Sequence, residues 1–229
     1  MPGLTQSQGK SGLKSYNPME YTINIKGRLM DLSTPQVMGI LNVTPDSFYS
    51  GSRKQTEMEI AQRANQIIEE GGSIIDVGAF STRPGADEVS EEEEGRRLKF
   101  ALDIVRREQP DAAVSVDTYR PTLARKCIEE WGADIINDVS EGGITGIVNV
   151  PLEQRQEEYP EMFRVVGELK VPYILMSVQP TLATMMKGFA REVQQLRDLG
   201  AKDIILDPGF CFGKNLIQNY QIYNEMEKL

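Results

Sequence analysis

One feature narrows the choice of fold more than any other in this chain. Short apolar runs rich in Val and Ile recur six times: "QVMGILN", "SIIDVGA", "AAVSVDT", "DIINDV", "VPYILM" and "DIILDPG". Longer amphipathic runs separate them, with helical spacing near 57–70, 92–108, 121–131, 154–169 and 184–199, and a last one follows at 216–228. Near-continuous apolar strands alternating with helices predict a parallel sheet covered by helices. Such a sheet closes as a barrel or stays open and doubly wound. Polar residues at or near the strand ends decide between these: Asn42, Asp76, Asp117, Asn137 with Asp138, Ser177 and Asp207. In a barrel all those ends face one mouth, whereas an open sheet gathers its ligand groups at one crevice. Polar groups spread over six strands predict an α/β chain of the (β/α)8 TIM-barrel type, with about six of the eight units in this sequence.

Before the first unit, "YTINIKGRLMDL" alternates around Lys26-Gly27 and predicts a small β-hairpin. Residues 1–18, rich in Gly, Ser, Gln and Lys, read as a disordered leader, leaving 19–229 as one barrel domain. The sixth amphipathic run continues to Leu229 without a cap, so the barrel reads as incomplete at its C-terminal side.

Several chemistries are excluded. The chain contains no histidine, so Ser-His-Asp, Cys-His and HExxH mechanisms are not available. Chemistry must run on carboxylates, Lys, Arg, amides, hydroxyls or a hard metal ion. A net charge of −9 argues against non-specific nucleic-acid or anionic-membrane binding. Two widely spaced cysteines, Cys127 and Cys211, make neither a disulfide framework nor a zinc pattern. With no signal peptide and no run long enough to span a membrane, the expected location is the cytoplasm.

The strand ends and loops supply the candidates. In "MGILNVTPDSFYSG", Asn42 offers an amide oxygen to a hard cation or an NH2 to an anion, Asp46 a ligand or orienting charge, and Phe48 and Tyr49 rings that close over a ligand. In "AFSTRPGADEVSEEEEGRRL", Ser81, Thr82 and Arg83 precede the Pro84-Gly85 turn, a grouping suited to phosphate or carboxylate and equally found on a plain surface loop. Ser90 with Glu91–Glu94 reads as a helix start, a structural role. Asp117, Asn137 and Asp207 converge as donors and acceptors that match a flat heterocycle with an amidine-like edge. Met176 and Phe212 can sandwich its ring. Lys214 either meets an anion or is solvated.

Assembled in order, "MGILNVTPDSF", "IIDVGAFSTRPGA" with "VSEEEE", "SVDTYRP", "IINDV" and "LDPGFCFGK" closely resemble the dihydropteroate synthase family over about residues 20–220. The resemblance implies a transferase of folate biosynthesis, the sulfonamide target. It joins 6-hydroxymethyl-7,8-dihydropterin diphosphate to 4-aminobenzoate, giving dihydropteroate and diphosphate with Mg2+ as cofactor. It also implies roles by matching position. Asp117, Asn137 and Asp207 hold the pterin edge, and Met176 and Phe212 line its pocket. Asn42 binds Mg2+ and diphosphate. Asp46, Phe48, Thr82, Arg83 and Pro84 belong to two loops over the diphosphate and aminobenzoate. A homodimer is the family's usual assembly.

The departures are specific. Ser177 stands where the family has His, and Cys211 where it has a second Gly. Asn215 and Gln218-Asn219 replace a Thr and a His-Asn, and the segment leading to the fifth helix is short. The family's Ser-Arg-Lys and Arg-x-His motifs have no counterpart here. Two other readings follow: a non-catalytic pterin-binding relative, or a pterin-dependent methyltransferase-type barrel.

Overall fold

The computed structural model describes residues 21–43, 53–80, 89–142 and 159–229. The expected hairpin forms from β1 (Thr22–Ile25) and β2 (Arg28–Asp31), paired antiparallel. Lys26 and Gly27 both take positive φ, 48° and 86°, as the two central residues of a type I′ turn require.

Six β/α units follow. Their strands are β3 (Met38–Asn42), β4 (Ile74–Gly78), β5 (Ala113–Asp117), β6 (Ile135–Asp138), β7 (Tyr173–Met176) and β8 (Ile204–Asp207). Their helices are α1 (Arg53–Glu69), α2 (Glu91–Glu108), α3 (Pro121–Glu129), α4 (Glu161–Leu169), α5 (Leu182–Asp198) and α6 (Leu216–Glu225). All six strands are parallel and lie in chain order, β3-β4-β5-β6-β7-β8. That order decides the closure. A doubly wound sheet reverses direction at a switch point, and this sheet has none, so it is a TIM-barrel sheet.

The strand pleat sorts residues into two layers. Ile75, Val77, Val114 and Val116 face the helices and pack with Leu98, Leu102 and Val105 of α2. Ile136, Tyr173 and Leu175 do the same against α4 and α5. The alternate positions point inward. At the N-terminal end of the barrel, Ile74, Ala113, Ile135 and Ile174 form an apolar floor closed from below by Ile23 and Ile25 of the hairpin. Polar ties fix that plug: the Asn24 N–H donates to Asp203 Oδ2 (3.0 Å), Lys26 Nζ to the Gly132 carbonyl (3.1 Å), and Arg28 to the Asp111 carbonyl (3.1 Å). With the floor covered by apolar side chains, the inward polar residues lie toward the opposite, C-terminal mouth.

Two expectations need correction. The sixth helix does not run to Leu229; it ends at Glu225 and tightens into a 3-10 turn, Met226–Lys228, the common fate of a fraying last turn. At its other end Asn215 and Gln218 form a reciprocal capping box, which gives a structural job to two of the departures from the family pattern. The fourth helix begins at Glu161, after Pro160, and not near residue 154, because Tyr159 and Pro160 are not helical; residues 143–158 lie outside the described residues, as does the expected leader. On β3, one edge of the described sheet, the Ile40 carbonyl is occupied by Arg63 Nε at 3.1 Å, a local cover for an otherwise open ladder group.

Candidate functional site in the barrel mouth

Above the apolar floor the inward positions turn polar. Register places Asp76 of β4 beside Ser115 of β5, Gly78 beside Asp117, and Asp117 beside Asn137 of β6. On the far side Met176 of β7 lies beside Asp207 of β8. Asn42 ends β3 next to Gly78. A Cβ on Gly78 would stand 2.7 Å from Asn42 Oδ1 and 3.5 Å from Asp117 Oδ2. A glycine is needed there for room, and the missing side chain lets the Asn42 amide and the Asp117 carboxylate close in from either side.

Two of these carboxyls are held out of water. Burial pushes the Asp117 carboxyl well above the usual carboxylate range, and the charges of Asp76, Asp138 and Glu94 add to the push. Burial also raises Asp76, with the Ser115 hydroxyl and the Asn137 amide partly offsetting it. Asn137 Nδ2 donates to Asp76 Oδ2 at 3.2 Å. Asp117 Oδ1 and Asn137 Oδ1 are buried and have no hydrogen-bond partner among the described residues. Buried acceptors of this kind are costly unless a ligand supplies the donors.

Asp138 shows why neighbouring strand-end residues differ. The pleat turns it to the helix side, where Oδ1 accepts from the Ser140 N–H (2.8 Å) and hydroxyl (2.6 Å). Its Oδ2 accepts from the Gly142 N–H (2.8 Å) and the Tyr173 hydroxyl (2.6 Å). It organises a turn and offers nothing to the mouth.

The β8 side has an apolar wall. Met176, Val139 and Val178 cluster, and Phe212 packs against them. Asp207 Oδ1 accepts from the Gly209 N–H at 2.8 Å, which sets the turn that follows β8. Lys214 was open between an anion site and a solvated residue, and its geometry is neither. Nζ donates to the carbonyls of Ser177 (2.8 Å), Gly209 (3.0 Å) and Phe212 (3.1 Å). All three ammonium donors are used, so in this conformation Lys214 is a buckle between the ends of β7 and β8. Burial draws its pKa down to about 8.

Cys211 sits at φ 70°. The position where the family has glycine is therefore in the left-handed region, and a cysteine there is strained by roughly 1–2 kcal/mol. Cys211→Gly is expected to stabilise the chain by about 0.5–1 kcal/mol, part of the relief being offset by glycine's freedom when unfolded. Denaturant unfolding checks this, and a loss of stability would refute the strain.

The mouth thus brings together Asn42, Asp117, Asn137, Met176, Asp207 and Phe212. Asp46, Phe48, Thr82, Arg83 and Pro84 lie outside the described residues. Sequence reasoning undervalued two groups. Asp76, buried mid-strand and tied to Asn137, was legible only as one polar residue among several. Glu94 is buried at the start of α2 and belongs to the acidic run read as a helix start. Ser90 does cap that helix, accepting from the Glu93 N–H at 3.2 Å. But Glu94 also accepts from the Thr118 hydroxyl (2.6 Å) and pairs with Arg120 Nε (3.0 Å). A charged residue at helix register with the apolar Leu98 and Leu102 was the available signal.

Among the described residues, no three His, Cys, Asp or Glu side chains are placed to cage a metal. Magnesium does not need one, since it commonly arrives on substrate phosphates and takes one or two protein oxygens. The Asn42 amide oxygen, exposed at the end of β3 beside Asp117, fits that donor set.

Comparison with known proteins agrees with the geometry. The pterin binding enzyme family matches residues 38–229. Dihydropteroate synthase of Escherichia coli is 36% identical over 212 residues, covering 86% of this chain and 69% of the relative; that of Bacillus subtilis is 35% identical over 199 residues, covering 83% and 64%. Among solved structures, Xanthomonas albilineans dihydropteroate synthase with 4-aminobenzoic acid superposes with a TM-score of 0.76 at 30% identity, covering 92% of this chain and 74% of that one. The same enzyme with 7,8-dihydropteroate gives 0.72 at 28%, covering 91% and 73%. An unswitched parallel barrel sheet, a mouth of buried carboxylates and amides, and this shared sequence lead to one assignment: the chain belongs to the pterin binding enzyme family and groups there with the dihydropteroate synthases.

Proposed function

We propose that the mouth of this barrel holds the pterin ring of 6-hydroxymethyl-7,8-dihydropterin diphosphate, and that the chain works as a dihydropteroate synthase on the path to folate. The observation that carries this reading is the pair of buried acceptors, Asp117 Oδ1 and Asn137 Oδ1, left without partners among the described residues at the end of a parallel barrel. A 2-amino-4-oxo heterocycle supplies N–H donors in its plane, and Met176 and Phe212 supply an apolar face for its ring.

The reaction breaks the C–O bond between the pterin methylene and diphosphate, forms a C–N bond to 4-aminobenzoate, and releases the amine proton and diphosphate. As the C–O bond lengthens, positive charge spreads from the methylene into the pterin. The carboxyls of Asp117, Asp76 and Asp207 line that pocket, and the positive charge growing on the ring draws the two buried ones toward their ionised form, an attraction that favours the transition state over the ground state. Desolvation by the sealed floor strengthens the effect. Mg2+, held by Asn42 and the diphosphate, would supply positive charge to the leaving group. The weakly basic aromatic amine needs no histidine base when the leaving group departs early. Asp46, Phe48, Thr82, Arg83 and Pro84 are assigned to the diphosphate and aminobenzoate side by family position alone.

The wider setting follows from the same reading. None of the described helices is long and apolar enough to cross a membrane. A cytoplasmic location and a homodimer are proposals drawn from the sequence and the family.

The test is diphosphate release by the 229-residue chain with the dihydropterin diphosphate, Mg2+ and 4-aminobenzoate. Release that depends on aminobenzoate is expected. Pterin binding without release would favour the non-catalytic reading.

A further inference from the structure

Phe212 joins the apolar wall of the mouth from a loop and not from a strand. It lies between β8 and α6, half-buried, and packs against Val139, Met176 and Val178. A ring on a loop keeps one place only if the loop is tied down. The Phe212 N–H donates to the Gly209 carbonyl (3.1 Å), and the Cys211 N–H donates to Asn219 Oδ1 of α6 (2.9 Å). Gly209 approaches β7 so closely that a Cβ on it would stand 2.5 Å from the Ser177 carbonyl oxygen and 2.8 Å from Met176 Cγ. The Lys214 ammonium joins these parts. It binds the Gly209 and Phe212 carbonyls within the loop and the carbonyl of Ser177, the residue after Met176. From the other side comes Glu141, 3% exposed and at φ 53°, in the turn after β6. Its Oε1 accepts from the Val178 N–H at 2.9 Å, and its charge attracts Lys214.

We propose that Lys214 is a positioning residue for the ligand: its ammonium, attracted by Glu141, locks the loop after β8 so that Phe212 and Met176 present a fixed apolar face to the pterin ring. An ammonium has three donors for three carbonyls. A neutral amine has two donors and a lone pair, so loss of the proton removes one bond and sets the lone pair against a carbonyl oxygen. Burial lowers the Lys214 pKa to about 8. The charged and titratable groups facing it pull the other way: Glu141 after β6, Asp207 at the end of β8 and Cys211 in its own loop. The lock therefore holds below about pH 8 and loosens as pH rises through that value. This inference rests on the pterin reading above and adds what holds the ring-facing wall in place.

Lys214→Met keeps the stem and removes the donors. Its affinity for 6-hydroxymethyl-7,8-dihydropterin, followed by titration at pH 6.5, should fall about tenfold, the scale of one misplaced ring contact. That alcohol carries no diphosphate, so the loss cannot come from a missing anion contact. If the variant bound the alcohol as wild type does and lost affinity only for the diphosphate ester, Lys214 would be an anion ligand and the proposal would be overturned. A pH profile separates positioning from mere support of the fold. The ratio of wild-type to variant affinity should be about tenfold at pH 6.5 and approach one at pH 9.5, where a neutral lysine holds the loop no better than methionine. Titrations of Asp76, Asp117 and the ligand are common to both chains and cancel in the ratio. A ratio that stays constant over this range overturns the proposal. Glu141→Gln is the second arm and serves even if Lys214→Met does not fold. Its amide oxygen still accepts from the Val178 N–H, but the charge that favours the ammonium is gone, so the alkaline fall in affinity should move to lower pH. An unmoved profile overturns the proposal. Wild-type chain is the control: if it does not bind the dihydropterin, the pterin reading fails and this inference falls with it. If it binds and the variants behave otherwise, only the inference fails.

Discussion

Asp117→Asn is expected to give a chain that is more stable than wild type and binds dihydropterin more weakly. Both effects come from the same buried carboxyl. Its surroundings (the sealed floor, Asp76, Asp138 and Glu94) disfavour its charge in the folded state and hold its folded pKa well above the unfolded value. The folded chain therefore binds a proton more readily at this group than the unfolded chain does. The group's contribution is most favourable below the usual carboxylate range. It is lost as pH rises from the unfolded value, about 3.9, through the raised folded value. As pH rises through the folded value the wild type comes to bear that cost, and asparagine, of the same shape and uncharged, does not. Each pKa unit of displacement corresponds to about 1.4 kcal/mol. For a chain of this size that is a rise of about 3–6 °C in melting temperature. The variant should also lose the wild type's decline in stability between acid and neutral pH. Against this, one charge-assisted hydrogen bond to the ligand disappears, worth about 1.5–3 kcal/mol, or roughly 10–150-fold in affinity. Melting at pH 4 and pH 7.5 with a dihydropterin titration checks both. A variant that melts lower at neutral pH, or binds as wild type does, would show that Asp117 is a structural carboxylate.

Arg120→Met should have the opposite sign. Arg120 reaches from the turn after β5 across the start of α2. Its Nε pairs with Glu94 (3.0 Å), and its NH2 donates to the Val89 carbonyl (2.6 Å), the last described stretch before α2. Glu94 is fully buried, and the Thr118 hydroxyl, Arg120 and, more weakly, Arg97 offset its burial. Removing the guanidinium strands the carboxylate, a change that costs about 3–5 kcal/mol. That is a fall of about 10 °C in melting temperature. The loss should shrink in acid, where Glu94 takes up a proton and needs no counter-charge. The double variant Glu94→Gln with Arg120→Met should recover most of the loss, because the charge is then removed along with its partner. Denaturant midpoints at pH 5 and pH 7 for the three chains measure this. Equal destabilisation of the single and double variants would mean that Arg120 acts through Val89 and its packing.

Much of the fold was legible along the chain. Six apolar runs and six amphipathic runs define β3 to β8 and α1 to α6 because burial patterns repeat locally, at period two or 3.6, wherever the neighbours lie. The hairpin was readable because Lys-Gly tolerates the positive φ that its turn demands. Asn42, Asp117, Asn137 and Asp207 were readable as candidates because a polar residue ending an apolar strand has few other uses.

What the sequence determined, then, was the kinds of element, their order and the chemical types available, since these depend on residues close in the chain. The tertiary structure decided which polar groups are spent and which remain. Lys214 and Asp207 look alike as loop-facing charges, yet the lysine's donors go to three carbonyls while Asp207 stands at the mouth. Asn137 and Asp138 are adjacent, yet one faces the ligand side and the other a turn. Asp76, Glu94 and Arg120 acquire their meaning from partners 61, 24 and 31 residues away. A hydrogen bond is short and directional, so it is fixed by where the fold brings atoms together and not by how far apart they stand in the chain.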